Sequence, residues 1–153
     1  AYASMYATSF SNGPALQATK LIFEYLPRSY EKGAADPEAR EQMANASTLA
    51  GMAFANSFLG ICHSLAHKLG AFHHIPHGVA NGMLINEVMK FNASEVPTKM
   101  GAFSQYKYPD VIKRYAEIAS FIGIEGRSDQ EKHEKLLDKI SELKAAVGIP
   151  HQI

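Results

Sequence analysis

The chain carries a single cysteine, Cys62, so no internal disulfide can form, and that sparing use fits a reducing compartment, with the cytoplasm as the expected location. It has no surplus of either charge: lysine plus arginine and aspartate plus glutamate number 15 each, for a formal net charge of zero. Without a basic stripe there is no electrostatic footprint for nucleic acid or an anionic membrane, which leaves small molecules and proteins as the expected partners. Long apolar runs are lacking too. The most apolar stretch, Leu49 to Cys62, is interrupted by Asn56 and Ser57 and falls short of the roughly 20 residues a spanning helix needs, so it reads as buried helix. No segment alternates apolar and polar residues as a half-buried strand would, and there is no internal repeat, no low-complexity tract and no G-x-G-x-x-G phosphate loop. The opening Ala1-Tyr2-Ala3 brings neither an initiator methionine nor a targeting segment, and the closing Gly148-Ile149-Pro150-His151 looks like the approach to another element. The sequence therefore reads as one helical piece, residues 1–153, of a longer protein.

What is present suffices for a core: 46% of the 153 residues are hydrophobic, enough for one ordinary domain. Ala1 to Phe10 is helix-compatible, and Asn12-Gly13-Pro14 predicts a break. From Pro14, the stripe Leu16, Ile22, Phe23 and Leu26 predicts a helix that Pro27 kinks or ends, followed by a connection at Gly33 to Ala35. Asp36-Pro37-Glu38 is a strong start signal, combining a capping carboxylate, a proline suited to the first helical position and an acid at the positive end of the dipole. The helix it opens is expected to run from a charged beginning at Arg40, Glu41 and Gln42 into the core as far as Leu65, with Gly51, Ala53 and Ala55 allowing close packing and Gly70 as its stop. Ala71 to Pro76 then predicts a short ordered loop, since the residue before Pro76 is pushed to extended backbone. A new helix begins near His77, with Val79, Met83, Leu84, Val88 and Met89 on its apolar face up to Phe91. Asn92 to Pro109 reads as a turn-rich connection, and Pro109 to Ile122 as an amphipathic helix ended by Gly123. Ser128-Asp129-Gln130-Glu131 has capping-box spacing and leads into a helix with Leu136, Leu137, Ile140, Leu143 and Val147 on one side and Gly148 as its stop. The expected class is all-α, with six or seven helices.

Five of the seven histidines fall between His63 and His77. His63 and His67 are four apart and share a helix face, and the following loop can return His77 to the same place, so spacing alone nominates all three as metal ligands. A pair at that spacing is by itself more often solvated or hydrogen-bonded. Its setting, a helix end beside a rigid loop bearing further histidines, favours a pre-organised site.

The run Gly51-Met52-Ala53-Phe54-Ala55-Asn56, continued by His63-Ser64-Leu65-Ala66-His67-Lys68-Leu69-Gly70 and by Ile75-Pro76-His77-Gly78-Val79-Ala80-Asn81, resembles the second signature of the iron-containing alcohol dehydrogenases. Tyr25-Leu26-Pro27, Pro97-Thr98-Lys99, Phe103-Ser104-Gln105-Tyr106 and Arg114-Tyr115-Ala116-Glu117-Ile118-Ala119 resemble the bifunctional aldehyde–alcohol dehydrogenase branch, so the likeness covers nearly the whole chain. It implies the helical C-terminal domain of the iron-dependent alcohol dehydrogenase and dehydroquinate-synthase-like fold. It further implies an NAD-dependent enzyme interconverting short-chain aldehydes and primary alcohols. In that family an aspartate and three histidines hold Fe2+, with Zn2+ as the substitute. The resemblance makes His63 and His77 two of those ligands, and places His67 near the nicotinamide and the substrate as a proton relay rather than a ligand. The other two ligands belong to an Asp-x-x-x-His helix expected just before Ala1, and NAD(H) is expected to be bound mainly by an N-terminal domain. A homo-oligomer or filament is the expected assembly of the full-length protein. Two other readings stay open, a non-catalytic helical metal-binding or filament-assembly module and a zinc-using relative of glycerol dehydrogenase. His73 and His74 are secondary candidates for the pocket or for ordering the loop. Cys62, Phe54, Phe58, Met83 and Met89 are expected in packing, and the charged residues from Glu131 to Lys144 on a solvated face.

Overall fold

The computed structural model describes residues 1–94 and 110–150, and among them it is all helix, with no strand. Six α-helices follow one another: α1 (Ser9–Lys32), α2 (Pro37–Ser57), α3 (Ile61–His73), α4 (His77–Ala93), α5 (Val111–Phe121) and α6 (Asp129–Ala146), with a 3₁₀ turn at Gly33–Ala35 between the first two. They pair as neighbours in sequence, α1 on α2, α3 on α4 and α5 on α6, and the pairs join where α4 and α1 touch α5 and α6.

Several start signals act as their residue types dictate. Asp36 caps α2 by accepting the Ala39 amide at 3.0 Å, and Arg28 holds the same carboxylate through two bonds of 3.0 and 3.1 Å. Ser128 accepts the Glu131 amide at 3.1 Å, as its capping position predicts, while the Glu131 carboxylate reaches one residue past the cap to accept the Arg127 amide at 2.7 Å in place of the Ser128 amide of a closed capping box. Gly123 ends α5 with φ +86° and Gly148 follows α6 with φ +67°. The core gathers Met89, Tyr115, Ala119 and Leu136, with Phe23, Ile85, Ile118, Leu137 and Ile140 against them. Ala39, Ala46 and Ala53 are fully buried at seven-residue intervals along α2, so small side chains line its seam with α1. Buried Asn86 ties α4 to α6, donating to the Leu137 carbonyl and to Ser141 Oγ, both at 3.0 Å.

Three expectations are corrected. No break falls at Asn12-Gly13-Pro14: α1 starts at Ser9, with the Thr8 amide donating to Ser11 Oγ at 2.9 Å, and runs on through Pro14 and Pro27. Each proline removes one helix bond, and around Pro14 the burial of Ser11, Ala15, Ala18 and Leu21 along the first half of α1 outweighs that loss. Helix α2 does not reach Leu65. It stops at Ser57, Phe58 follows at φ +61°, and α3 leaves from Gly60 at an angle of 112° to α2. Side chains consume the closing carbonyls here: Asn56 donates to the Met52 oxygen at 2.7 Å, Ser57 to the Ala53 oxygen at 2.9 Å, and Ser4 Oγ to the Ser57 oxygen. Finally, Gly70 is not a stop. Helix α3 continues to His73, and His74, left-handed at φ +56°, caps it with its amide on the Gly70 oxygen at 3.1 Å. The connection to α4 is then only residues 74–76. The turn-rich segment expected from Asn92 to Pro109 lies, from residue 95 on, outside the described residues, as do the Pro97-Thr98-Lys99 and Phe103-Ser104-Gln105-Tyr106 motifs.

Candidate metal centre

Among the described elements α3 packs on α4 and on nothing else, which leaves much of its surface open. Its first turn carries Cys62, whose thiol donates to the Asn81 carbonyl across the pair at 3.6 Å. Burial pushes that thiol above its ordinary pKa, so Cys62 behaves as an apolar residue joining two helices and not as a thiolate. Its neighbour His63 is half-buried, and His67, one turn on, is exposed. The tight turn at residues 74–76 sets His77 as the first residue of α4 and swings it back over α3. The His77 ring centroid lies 5.2 Å from that of His63 and 5.3 Å from that of His67, with the planes inclined at 53° and 43°.

Spacing nominated these three imidazoles, and the fold brings all three together, His77 lying between the two on α3. His63 is held below its ordinary pKa, first by burial and then by the positive charge of protonated His77, His67 and the amino group of Ala1. A neutral imidazole offers a nitrogen lone pair, the form that borderline divalent metals accept. The Ala1 group arrives there because Arg114 clamps the N-terminal segment: it donates to the Tyr2 carbonyl at 2.8 and 3.1 Å and to Asn12 Oδ1 at 2.7 Å, and its guanidinium lies 3.8 Å from the Tyr2 ring centre.

Three nearby rings are not a closed chelate. No group of three or more histidine, cysteine or acidic side chains lies within reach of one ion among the described residues. The donor chemistry thus fits a divalent metal in kind and falls short in number, as part of a larger set would. His73 and His74 are exposed and serve the turn, His73 as the last residue of α3 and His74 as its left-handed cap. Asp129 and His133 have Asp-x-x-x-His spacing, yet His133 is buried against Tyr115, with centroids 5.1 Å apart and planes at 14°, and belongs to the core. Two surface clefts, one lined by Leu16, Lys113, Glu117 and Lys132 and one by Ser4, Thr8, Asp110 and Arg114, lie apart from the three rings. The histidine pattern does not single out Asn81, whose place four residues after His77 on one helix face is the signal the sequence holds. Its amide nitrogen lies 3.2 Å from His77 Nε2.

Residues 1–153 match the family described as "Fe-containing alcohol dehydrogenase family, C-terminal". The chain belongs to that family. It is 54% identical over its whole length to an aldehyde-alcohol dehydrogenase of Clostridium acetobutylicum, of which it spans 18%, and 54% identical to the bifunctional aldehyde-alcohol dehydrogenase of Escherichia coli K12, of which it spans 17%. Among solved structures, 97% of the chain superposes on 35% of a 1,3-propanediol oxidoreductase with a TM-score of 0.81 at 35% identity. Against an alcohol dehydrogenase from Oenococcus oeni the TM-score is 0.83 at 30% identity, covering 99% of this chain and 36% of that one. As a member of the Fe-containing alcohol dehydrogenase family the chain corresponds to its helical C-terminal part, and it covers less than a fifth of the two curated relatives named.

Proposed function

We propose that this chain is the helical, metal-binding part of an NAD-dependent alcohol dehydrogenase that interconverts short-chain aldehydes and primary alcohols. The observation that carries the reading is the convergence of His63, His67 and His77 from α3 and α4 in a member of this family. His63 and His77 would hold Fe2+, or Zn2+ in its place, through neutral imidazole nitrogens. His63 is fitted for this by burial, which lowers its pKa and so favours the neutral form. A divalent metal bound there supplies positive charge beside the substrate oxygen, favouring alkoxide on the alcohol side and a polarised carbonyl on the aldehyde side. Exposed His67 would pass the proton from the reacting oxygen toward solvent. The remaining ligands, a carboxylate and a third imidazole, would come from outside the described residues.

Relatives support the substrate class and differ over the nucleotide. A protein of Clostridium saccharobutylicum 41% identical to this chain is an NADPH-dependent butanol dehydrogenase, and a sulfoacetaldehyde reductase structure with 27% identity is a complex with NAD+. NAD(H) is bound mainly by a part of the protein outside this chain, and a homo-oligomer or filament is the assembly. Exposed Met52, Phe58, Leu59, Ile61 and Leu65 support a covered surface around the α2–α3 bend. A cytoplasmic setting goes with this reading, and no single helix among the described residues is long and apolar enough to cross a membrane. The test is metal analysis and NAD-linked ethanol oxidation on full-length protein purified without oxygen or chelators. His63→Ala and His77→Ala should each empty the site, whereas His67→Ala should keep the metal. Full metal content in His63→Ala, or a site lost only in His67→Ala, would overturn the assignment.

A further inference from the structure

Asn81 stands one turn beyond His77 on α4, with its amide nitrogen Nδ2 3.0 Å from the His77 carbonyl oxygen and 3.2 Å from His77 Nε2. The backbone carbonyl settles which end of the amide faces this way, because oxygen against oxygen would repel while the NH2 group has one hydrogen for each acceptor. The amide's own oxygen Oδ1 is buried without a partner, and turning the amide to relieve it would set that oxygen against the His77 carbonyl. A ring nitrogen that accepts a hydrogen bond carries a lone pair. In neutral His77 the proton therefore sits on Nδ1, although an imidazole side chain free in water prefers to carry it on Nε2.

We propose that Asn81 is a positioning residue that fixes the tautomer and ring direction of His77, holding the Nε2 lone pair ready for a divalent ion. The ion then displaces one amide hydrogen bond and has no proton to expel from that nitrogen, while the amide keeps its second bond to the His77 carbonyl. The inference rests on the reading of His77 as a metal ligand. The α3–α4 pairing supports the arrangement from the other side, since the Cys62 thiol donates to the Asn81 backbone carbonyl and pins that turn of α4 beside the histidines.

The test reads the proton directly. In metal-free chain labelled with nitrogen-15 at histidine, at about pH 9 where histidines are neutral, the His77 Nε2 signal should be that of an unprotonated nitrogen. Asn81→Asp keeps the shape and turns the donor into an acceptor, so it should move the proton to Nε2. Asn81→Leu offers neither, and the ratio should shift toward Nε2–H by roughly five-fold, the equivalent of about 1 kcal/mol for one neutral hydrogen bond. Because the displaced bond exists only in the metal-free state, cobalt(II) affinity should not fall in Asn81→Leu and should rise by up to a similar factor, with the His63 and His67 tautomers unchanged. A His77 that carries its proton on Nε2 in the unaltered chain, or one tautomer ratio shared by all three proteins, would overturn the proposal. Should the leucine variant not fold, the aspartate variant decides alone. Failure of the metal reading looks different: the tautomer pattern would appear as described while His63→Ala and His77→Ala left cobalt binding unchanged.

Discussion

At the scale of single residues, the three imidazoles are separated by burial and by position. His63 is half-buried and His67 exposed, one turn apart on the same helix, so replacing them should have different consequences. In the full-length protein His63→Ala should remove bound metal, as read by elemental analysis. His67→Ala should retain it and slow turnover by about 10²- to 10⁴-fold, the usual share of a general acid–base group. His133 gives a second residue-scale prediction, one that involves no metal. It is buried on Tyr115, its Nδ1 has no partner, and burial holds its pKa below the ordinary value, with the Glu134 charge pulling the other way. An unfolded histidine titrates near about 6.5, so between the lowered folded value and that point the unfolded chain binds more protons. The stability His133 contributes is complete above pH of about 6.5 and is lost as pH falls through the folded value. His133→Phe should keep the stack on Tyr115 and flatten the acid limb of melting temperature against pH. His63 is shifted in the same direction and retains its own share of that limb. An acid limb as steep as that of the unaltered chain would discount the buried imidazole.

At the scale of elements, the features that shape the site are a bend and a turn. The bend at Phe58 arises where Asn56 and Ser57 turn back onto α2 carbonyls and Ser4 takes another, which releases α3 to run at 112° to α2. The turn at residues 74–76 depends on a left-handed His74, a backbone state that costs a non-glycine residue free energy. His74→Gly should therefore raise stability by about 0.5–1 kcal/mol, the strain relieved less the extra freedom of glycine in the unfolded chain, with metal content unchanged. Chemical denaturation and metal analysis on one preparation check both parts, and a loss of metal would return His74 to the candidate site. Ser128→Ala should cost about 1 kcal/mol by leaving the Glu131 amide without its cap, seen as a lower denaturation midpoint at constant slope.

At the scale of the whole molecule, incompleteness is a physical property of the described site. Its imidazoles converge without forming a three-ligand group, and large apolar side chains stand exposed around the α2–α3 bend. The 153-residue chain by itself should bind divalent metal weakly and reduce no NAD, since a divalent ion ordinarily requires three or four protein ligands. Calorimetric titration with Zn2+ and the absorbance of NADH with ethanol present are the measurements, and NADH production by the purified chain would refute the partial-site reading.

The amino-acid sequence by itself determined the helical class, the starts of α2, α4 and α6, and the identity of the histidines, because capping, proline placement and i, i+4 spacing act within a few residues of the chain. It also carried the family, through the histidine-bearing run from Gly51 to Asn81. It misjudged α1 at Pro14, the end of α2 and the stop at Gly70. Those outcomes turn on how a long apolar face packs and on which side chains take the last carbonyls, and both are settled between elements. Only the tertiary structure decided that His77 lies equally near His63 and His67, that Asn81 donates to it, that His133 belongs to the core, and that Arg114 carries Ala1 to His63. Apart from the Asn81–His77 contact, which lies within one turn of α4, each of these joins segments separated in sequence, and such contacts exist only once the helices have packed.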